Sequence, residues 1–178
     1  MGTNNIVYES QGSIDLLTNM TAFINSSILY VDNASPYYQM LGQVIANAKE
    51  TKIDGNGTEI SNIELSNIKI SEIQLICTNN LSELRNLLGN CTLELQYYDI
   101  PTNSYTGLTL GTFTEVNMQS AMVEFALSQN DLSTFMKNRP DRMFLKFNFN
   151  SLPSNSIEVK YKIFYSFEYR YDERELKD

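Results

Sequence analysis

Histidine and tryptophan are absent from this 178-residue chain, and cysteine occurs only twice. Without histidine there is no Ser-His-Asp or Cys-His nucleophile pair, no imidazole metal ligand and no imidazole proton shuttle. Two cysteines cannot build a four-sulfur zinc site. An enzyme would have to work with carboxylates, lysines or tyrosines, so no catalytic residue, metal or cofactor is expected. Long apolar runs are missing as well. None approaches the roughly 18 residues of a membrane span, and no basic-then-apolar start marks an uncleaved signal peptide. Basic residues are scarce, 13 Lys+Arg against 21 Asp+Glu, and unevenly placed. Residues 1–136 carry 4 against 14, whereas residues 137–178 carry 9 against 7. A chain without a basic cluster has little to exchange for counterions on a phosphate backbone, which disfavours nucleic acid as a partner.

What is present is a globular composition. The hydrophobic fraction is 42%, and the length suits one domain with its own core. From Ile157 to Tyr171 the odd positions are Ile, Val, Tyr or Phe throughout, and the even positions are mostly polar. That alternation predicts a half-buried strand. Met143, Leu145, Phe147 and Phe149 alternate in the same way, with Phe144 the one apolar residue on the other face. The turn residues 150–155 between them predict an antiparallel pair. Ala121 to Leu127 and Cys91 to Tyr97 also alternate, and Leu108 to Phe113 is a weaker strand. Asn80-Leu81-Ser82-Glu83 has the form of a capping box before Leu84 and Leu88, with Gly89 at the expected helix end. Asn130 is placed to cap a second short helix over 131–137.

Residues 62–76 repeat in fives: Asn-Ile-Glu-Leu-Ser, Asn-Ile-Lys-Ile-Ser, Glu-Ile-Gln-Leu-Ile. A pentad period suits a right-handed solenoid, but three pentads do not complete one coil. The favoured expectation is a strand pair in which a bulge or bend resets the inward phase after Ser66. The first 58 residues differ. Ser35-Pro36 is a helix start, and Tyr37, Met40, Leu41, Val44, Ile45 and Ala48 line one face of an amphipathic helix over about 36–50. Residues 14–31 fit a helix or, from Ala22 to Val31, a strand. Residues 1–58 are therefore expected to be an extension packing on a sandwich formed by residues 59–178.

Few constellations suggest chemistry. Cys77 and Cys91 flank the helical connection, as either a disulfide worth about 3 kcal/mol in the chain-entropy model or, as favoured, a buried thiol pair. Asp54-x-Asn56-x-Thr58 opens like a calcium loop, but its twelfth position is Leu65, so the pattern fails. Glu64, Glu72, Glu83, Glu94, Glu115 and Glu124 are spread over separate elements. Six sequons, at Asn19, Asn25, Asn33, Asn56, Asn80 and Asn90, exceed only modestly what a chain this rich in Asn, Ser and Thr produces by chance. Tyr37, Tyr38, Tyr97, Tyr98 and Tyr105 lie near element edges, where tyrosine can stack on a sugar or a partner protein.

About seven strands over residues 59–171 predict an antiparallel β-sandwich. Three stretches carry a likeness: Ile63 to Ile70, Leu84 to Leu95 with its helix leading into a strand, and Asn130 to Met136 before the closing pair. In hydrophobic phase these resemble the immunoglobulin-like β-sandwich of envelope lipoproteins from Bacteroidetes-type bacteria. The resemblance implies a non-catalytic domain of the extracytoplasmic cell envelope that contacts protein or glycan. A lipid anchor follows only if a signal peptide and lipidated cysteine preceded this sequence. The alternative expectation is a virion component of a bacteriophage, such as a capsid decoration, neck or tail protein. In either setting a protein partner or self-assembly is expected first.

Overall fold

The computed structural model describes residues 5–33, 36–50, 58–77, 80–89, 91–112, 114–118, 122–126, 130–138 and 142–175. Nine strands and three helices succeed one another within them. They are β1 (Asn5–Ile24), β2 (Ile28–Asn33), α1 (Pro36–Glu50), β3 (Thr58–Cys77), α2 (Leu81–Leu88), β4 (Thr92–Asp99), β5 (Ser104–Thr112), β6 (Thr114–Met118), β7 (Met122–Ala126), α3 (Ser133–Asn138), β8 (Met143–Asn148) and β9 (Ile157–Glu175).

The strands form two antiparallel sheets, β1-β9-β3-β7-β6 and β2-β8-β4-β5. Their apolar faces meet. Leu29 and Val31 of β2, Leu93 and Leu95 of β4, and Leu145 and Phe147 of β8 are buried in one cluster with Ile73 and Leu75 of β3 and Ile157, Val159 and Ile163 of β9. The chain is thus mainly β, an antiparallel sandwich. Its connectivity departs from the immunoglobulin-like order, in which strands group as ABED and CFG. Here β1 pairs with β9, β2 with β8, β3 with β7 and β4 with β5. That is one long hairpin rolled up so that successive pairs alternate between the sheets. With β9 also beside β3 and β8 beside β4, the result is a jelly roll with β6 as an added edge strand.

Two further expectations are corrected by this connectivity. Residues 5–33 are not an appendage: β1 runs beside β9 and β2 beside β8, so the boundary at residue 58 cuts through the sandwich. Only α1 is an addition, burying Tyr37, Met40, Val44 and Ala48 against the five-stranded sheet at β1 and β3. Strands β8 and β9 do not pair with each other but lie in opposite sheets. Alternation tells which face of a strand is buried, and both sheets bury the same kind of face.

The pentads resolve into bulges. Strand β9 keeps strict alternation, burying Ile157, Val159, Tyr161, Ile163, Tyr165 and Phe167. Strand β3 pairs along it from Thr58 opposite Glu175 to Cys77 opposite Val159, so β3 has three residues more than the stretch it faces. Register shifts after Ser61, Ser66 and Ile70 absorb them. Asn62 (φ 52°) and Asn67 (φ 48°) take the left-handed conformation at the first two, which asparagine tolerates better than most residues. The buried positions of β3 therefore step Leu65, Ile68, Ile70, Ile73 and Leu75, alternately three and two apart, before the unbulged end continues by two to Cys77. Five residues are one bulge period.

Both short helices are anchored otherwise than the sequence suggests. Asn80 is left-handed and makes no side-chain cap. Glu83 instead accepts hydrogen bonds from the backbone N–H and the hydroxyl of Ser154, the latter at 2.6 Å. These bonds hold its carboxyl below the usual range. The residue serving α3 is Asp131 rather than Asn130. Asp131 Oδ1 accepts from the N–H of Ser133 and of Ile68, each at 3.0 Å, tying the helix start to the second bulge of β3. Burial pulls this carboxyl upward, but hydrogen bonds from Ser133, Ile68 and Asn67 outweigh it and hold the group low.

Candidate contact surface

The outward side chains of the four-stranded sheet fall into rows fixed by its register. One row is Asp32, Phe144, Gln96 and Gly107, and the next is Tyr30, Lys146, Glu94 and Thr109. Beyond the first row, Tyr98 of β4 stands opposite Tyr105 of β5. The rings of Tyr98 and Tyr105 meet edge to face at 5.2 Å, and Tyr105 lies 6.4 Å from Phe144. The guanidinium carbon of Arg142 sits 5.0 Å above the Phe144 ring, within cation–π range. Lys146 takes a similar place 5.9 Å from Tyr30. Tyr105 is 59% exposed, and Ile100 at the adjoining turn is 64% exposed. Tyr30, Tyr98, Tyr105 and Phe144 thus share one outer face, Tyr30 and Tyr105 exposed and the other two half-buried.

The surface is held in shape by its surroundings. Tyr98 donates its hydroxyl hydrogen bond to Asn103. Asn103 is left-handed at φ 53°, and Thr102 donates to Asp99 at 2.6 Å across the same turn. Gln96 lies almost buried in the middle of the face and donates to Glu94 at 2.8 Å. A Cβ on Gly107 would stand 3.2 Å from Gln96 Cγ, so the absent side chain lets Gln96 lie flat across β5. The site is therefore a firm aromatic platform and not a cleft.

Of the tyrosines singled out from sequence, the structure brings together Tyr98 and Tyr105. Tyr97 points the other way and packs on Phe135 of α3 at 5.1 Å. Tyr37 is buried under α1, and burial, then the charge of Glu64, pushes its hydroxyl up. Tyr38 is exposed on α1, a helix of the other sheet. Sequence reasoning missed the roles of Phe144, Arg142 and Tyr30. The signal for Phe144 was legible, since it is an aromatic residue on the polar phase of its strand. Cys77 and Cys91 are both buried and not joined in a disulfide, and burial pushes the Cys91 thiol up to about 12.

Among the described residues the carboxylates are dispersed. Glu64 pairs with Arg170 at 3.6 Å, Glu72 accepts from Gln74, Glu83 from Ser154 and Glu94 from Gln96. Among the described residues no three of Cys, Asp or Glu are grouped to hold a metal. Positions 54–57 of the calcium-like turn lie outside the described residues, as do Ser35 and Asn90. A groove of about 400 Å³ on the five-stranded sheet is lined by Glu9, Gln11, Ser66, Glu168 and Arg170 among others. It is polar and shallow. No helix among the described residues is long and apolar enough to cross a membrane.

No family model and no curated protein matches the chain. Among solved structures it is similar to chains in the structures of infectious bursal disease virus Gx strain and Gt strain. The two likenesses cover 95% and 96% of this chain, at 6% and 5% identity and TM-scores of 0.29 and 0.30. This chain spans 37% and 41% of the length of those two chains.

Proposed function

We propose that the chain is a non-catalytic structural protein of a virion, as a capsid, decoration, neck or tail component. Its partner is another protein, met through the aromatic face of β2-β8-β4-β5. The observation that carries this reading is the rolled-hairpin strand order. Jelly rolls serve chiefly as viral capsid domains, lectin domains and cupins. A cupin-type interior site needs polar ligands between the sheets, and here Leu95, Leu145, Phe147, Leu75 and Ile163 fill that space. A lectin reading is supported less well than a protein contact. The platform carries Arg142 beside tyrosine and phenylalanine, the residue types enriched at protein interfaces. Its buried amide, Gln96, already donates to Glu94. The acidic charge and the absence of a basic cluster argue against a nucleic-acid contact.

A protein of the bacterial cell envelope with the same contact role is the second reading. It rests on the phase likeness of residues 63–70, 84–95 and 130–136 to envelope lipoproteins. Fractionation of cells carrying the gene separates the two. The virion reading expects the chain to band with nuclease-resistant particles in a density gradient. Recovery in the washed envelope fraction, with none in the particle band, refutes it.

A further inference from the structure

We propose that the outer edge of β1 is a pairing edge for a second copy of this chain, which adds its own β1 antiparallel about a two-fold axis at Ser10. The argument starts from the four sheet edges. An edge strand presents unpaired N–H and C=O groups, and proteins blunt such edges by shortness, bulges, charged side chains or proline. Three edges here are blunted. Strand β2 has six residues. Strand β6 has five, with a register shift between Glu115 and Asn117. Strand β5 has nine residues, and its register with β4 shifts between Leu93 and Glu94, beside Gly111 at φ 112°.

Strand β1 is the exception. It is 20 residues long, with Glu9 and Asp15 its charged residues. Although its register with β9 shifts between Leu16 and Met20, Asn5 to Leu16 pair without a break, a longer unbulged stretch than any of the other three edges has. Among the described residues no strand lies on its other side. Val7 is 51% exposed, and the consecutive residues Glu9, Ser10 and Gln11 are all exposed. Neighbouring residues of a strand point to opposite faces, so both flanks of this edge are open to solvent.

The occupant follows from the contrast between edges. Because the other three edges are blunted, a second copy has only its own β1 to offer. The contact is then isologous and closes at two rather than growing into a fibre. The inner phases of both copies must stay on one side of the joined sheet, which requires residues of equal parity to face each other. An axis at Gly12 would set Glu9 against Asp15, like charges that destabilise a pair. An axis at Ser10 sets Ile6 opposite Ile14, Val7 opposite Ser13 and Glu9 opposite Gln11, with Ser10 facing itself. The two five-stranded sheets become one of ten strands. This pairing uses neither the aromatic face nor the virion setting, so it stands or falls independently of them.

Sedimentation velocity of the full chain, from about 1 μM to about 1 mM, tests the proposal. The expected result is a reversible dimer of the 20.4 kDa chain. Ser10→Lys puts like charges face to face on the axis and should weaken the dimer at least about fivefold. The exposed position and an unchanged thermal midpoint show that this is not misfolding. Ser10→Cys should give a covalent dimer on mild oxidation of the folded protein, because Cys77 and Cys91 are buried. Two outcomes overturn the proposal. One is a monomer at every concentration. The other is a dimer that withstands Ser10→Lys but is lost with Tyr105→Ser, which would place the contact on the aromatic face instead.

Discussion

The two sheets bury the same kind of inner face and turn very different outer faces to the surroundings. On the five-stranded sheet the outward rows hold Glu64 paired with Arg170, and then Glu168 beside Ser66, Lys69 beside Ser166, and Lys162 beside Gln74. On the four-stranded sheet they hold Tyr30, Phe144, Tyr98 and Tyr105, with charges set over or beside the rings. The first is mostly polar and charged, with Val7 and Phe23 of β1 its exposed apolar residues. The second leaves aromatic area exposed that a monomer gains by covering. The strands differ as well: β1, β3 and β9 are 19 or 20 residues long, whereas β2, β4, β5 and β8 run from six to nine. The long strands need bulges to stay matched, and the helices α1 and α3 gather on their side. The two sheets of one sandwich thus differ in their outer faces, one mostly charged with the added helices on its side, the other carrying the aromatic platform proposed as the contact.

If both sheets share one core, truncation on either should weigh alike. Leu75→Ala on the five-stranded sheet and Leu95→Ala on the four-stranded one are both fully buried. Each should cost about 2–5 kcal/mol in denaturant unfolding. Values differing by more than the spread of that range would mean that the sheets unfold separately.

The next largest effect belongs to the bulged side alone. Asp131→Ala removes the acceptor shared by Ser133 and Ile68 and should cost about 1–2 kcal/mol. The same carboxyl gives a pH signature. Its folded pKa lies below the ordinary value of 3.8, so its contribution is present above that value and is lost as pH falls through the folded pKa. Acid unfolding of Asp131→Asn should lack that component, and an unchanged acid profile would deny the carboxyl this role. Asn67→Ala should cost about 1 kcal/mol because φ is positive there, while Asn67→Gly stays near neutral. Equal costs for both would move the cause from backbone to side chain.

The smallest effect is chemical. With its thiol pushed up to about 12 by burial, Cys91 should resist alkylation at pH 8 in the folded protein and react only on unfolding. Rapid labelling under native conditions would mean that this end of the sandwich opens.

Legibility in the sequence follows the same divide. Strand β9 reads off directly because it has no bulge, and so does β8. Strand β3 announces its bulges as a five-residue period, legible once the period is understood as three plus two. Strand β1 does not read as a strand, because Ser10 and Gly12 interrupt its inward phase and the register shifts between Leu16 and Met20. Gly12 is required there, since a Cβ would stand 2.5 Å from the Phe167 ring, a contact between strands far apart in the sequence. Which strands share a sheet was illegible for a related reason: hydrophobic phase assigns faces, not neighbours. Of the contact surface, Phe144 stood out as an aromatic residue among polar positions. Arg142 above it depends on a local approach that no periodicity records.

The division of the two outer faces is tested most directly by paired surface variants in assembled particles. Tyr105→Ser with Phe144→Ser strips the platform, and Lys162→Ser with Glu168→Ser strips the charged face by the same number of side chains. With folding of both checked by thermal midpoint, the first variant should be lost from purified particles and the second retained at the level of the unmodified chain. Equal recovery of the two, or loss of the second alone, would contradict the assignment of the contact surface to the four-stranded sheet.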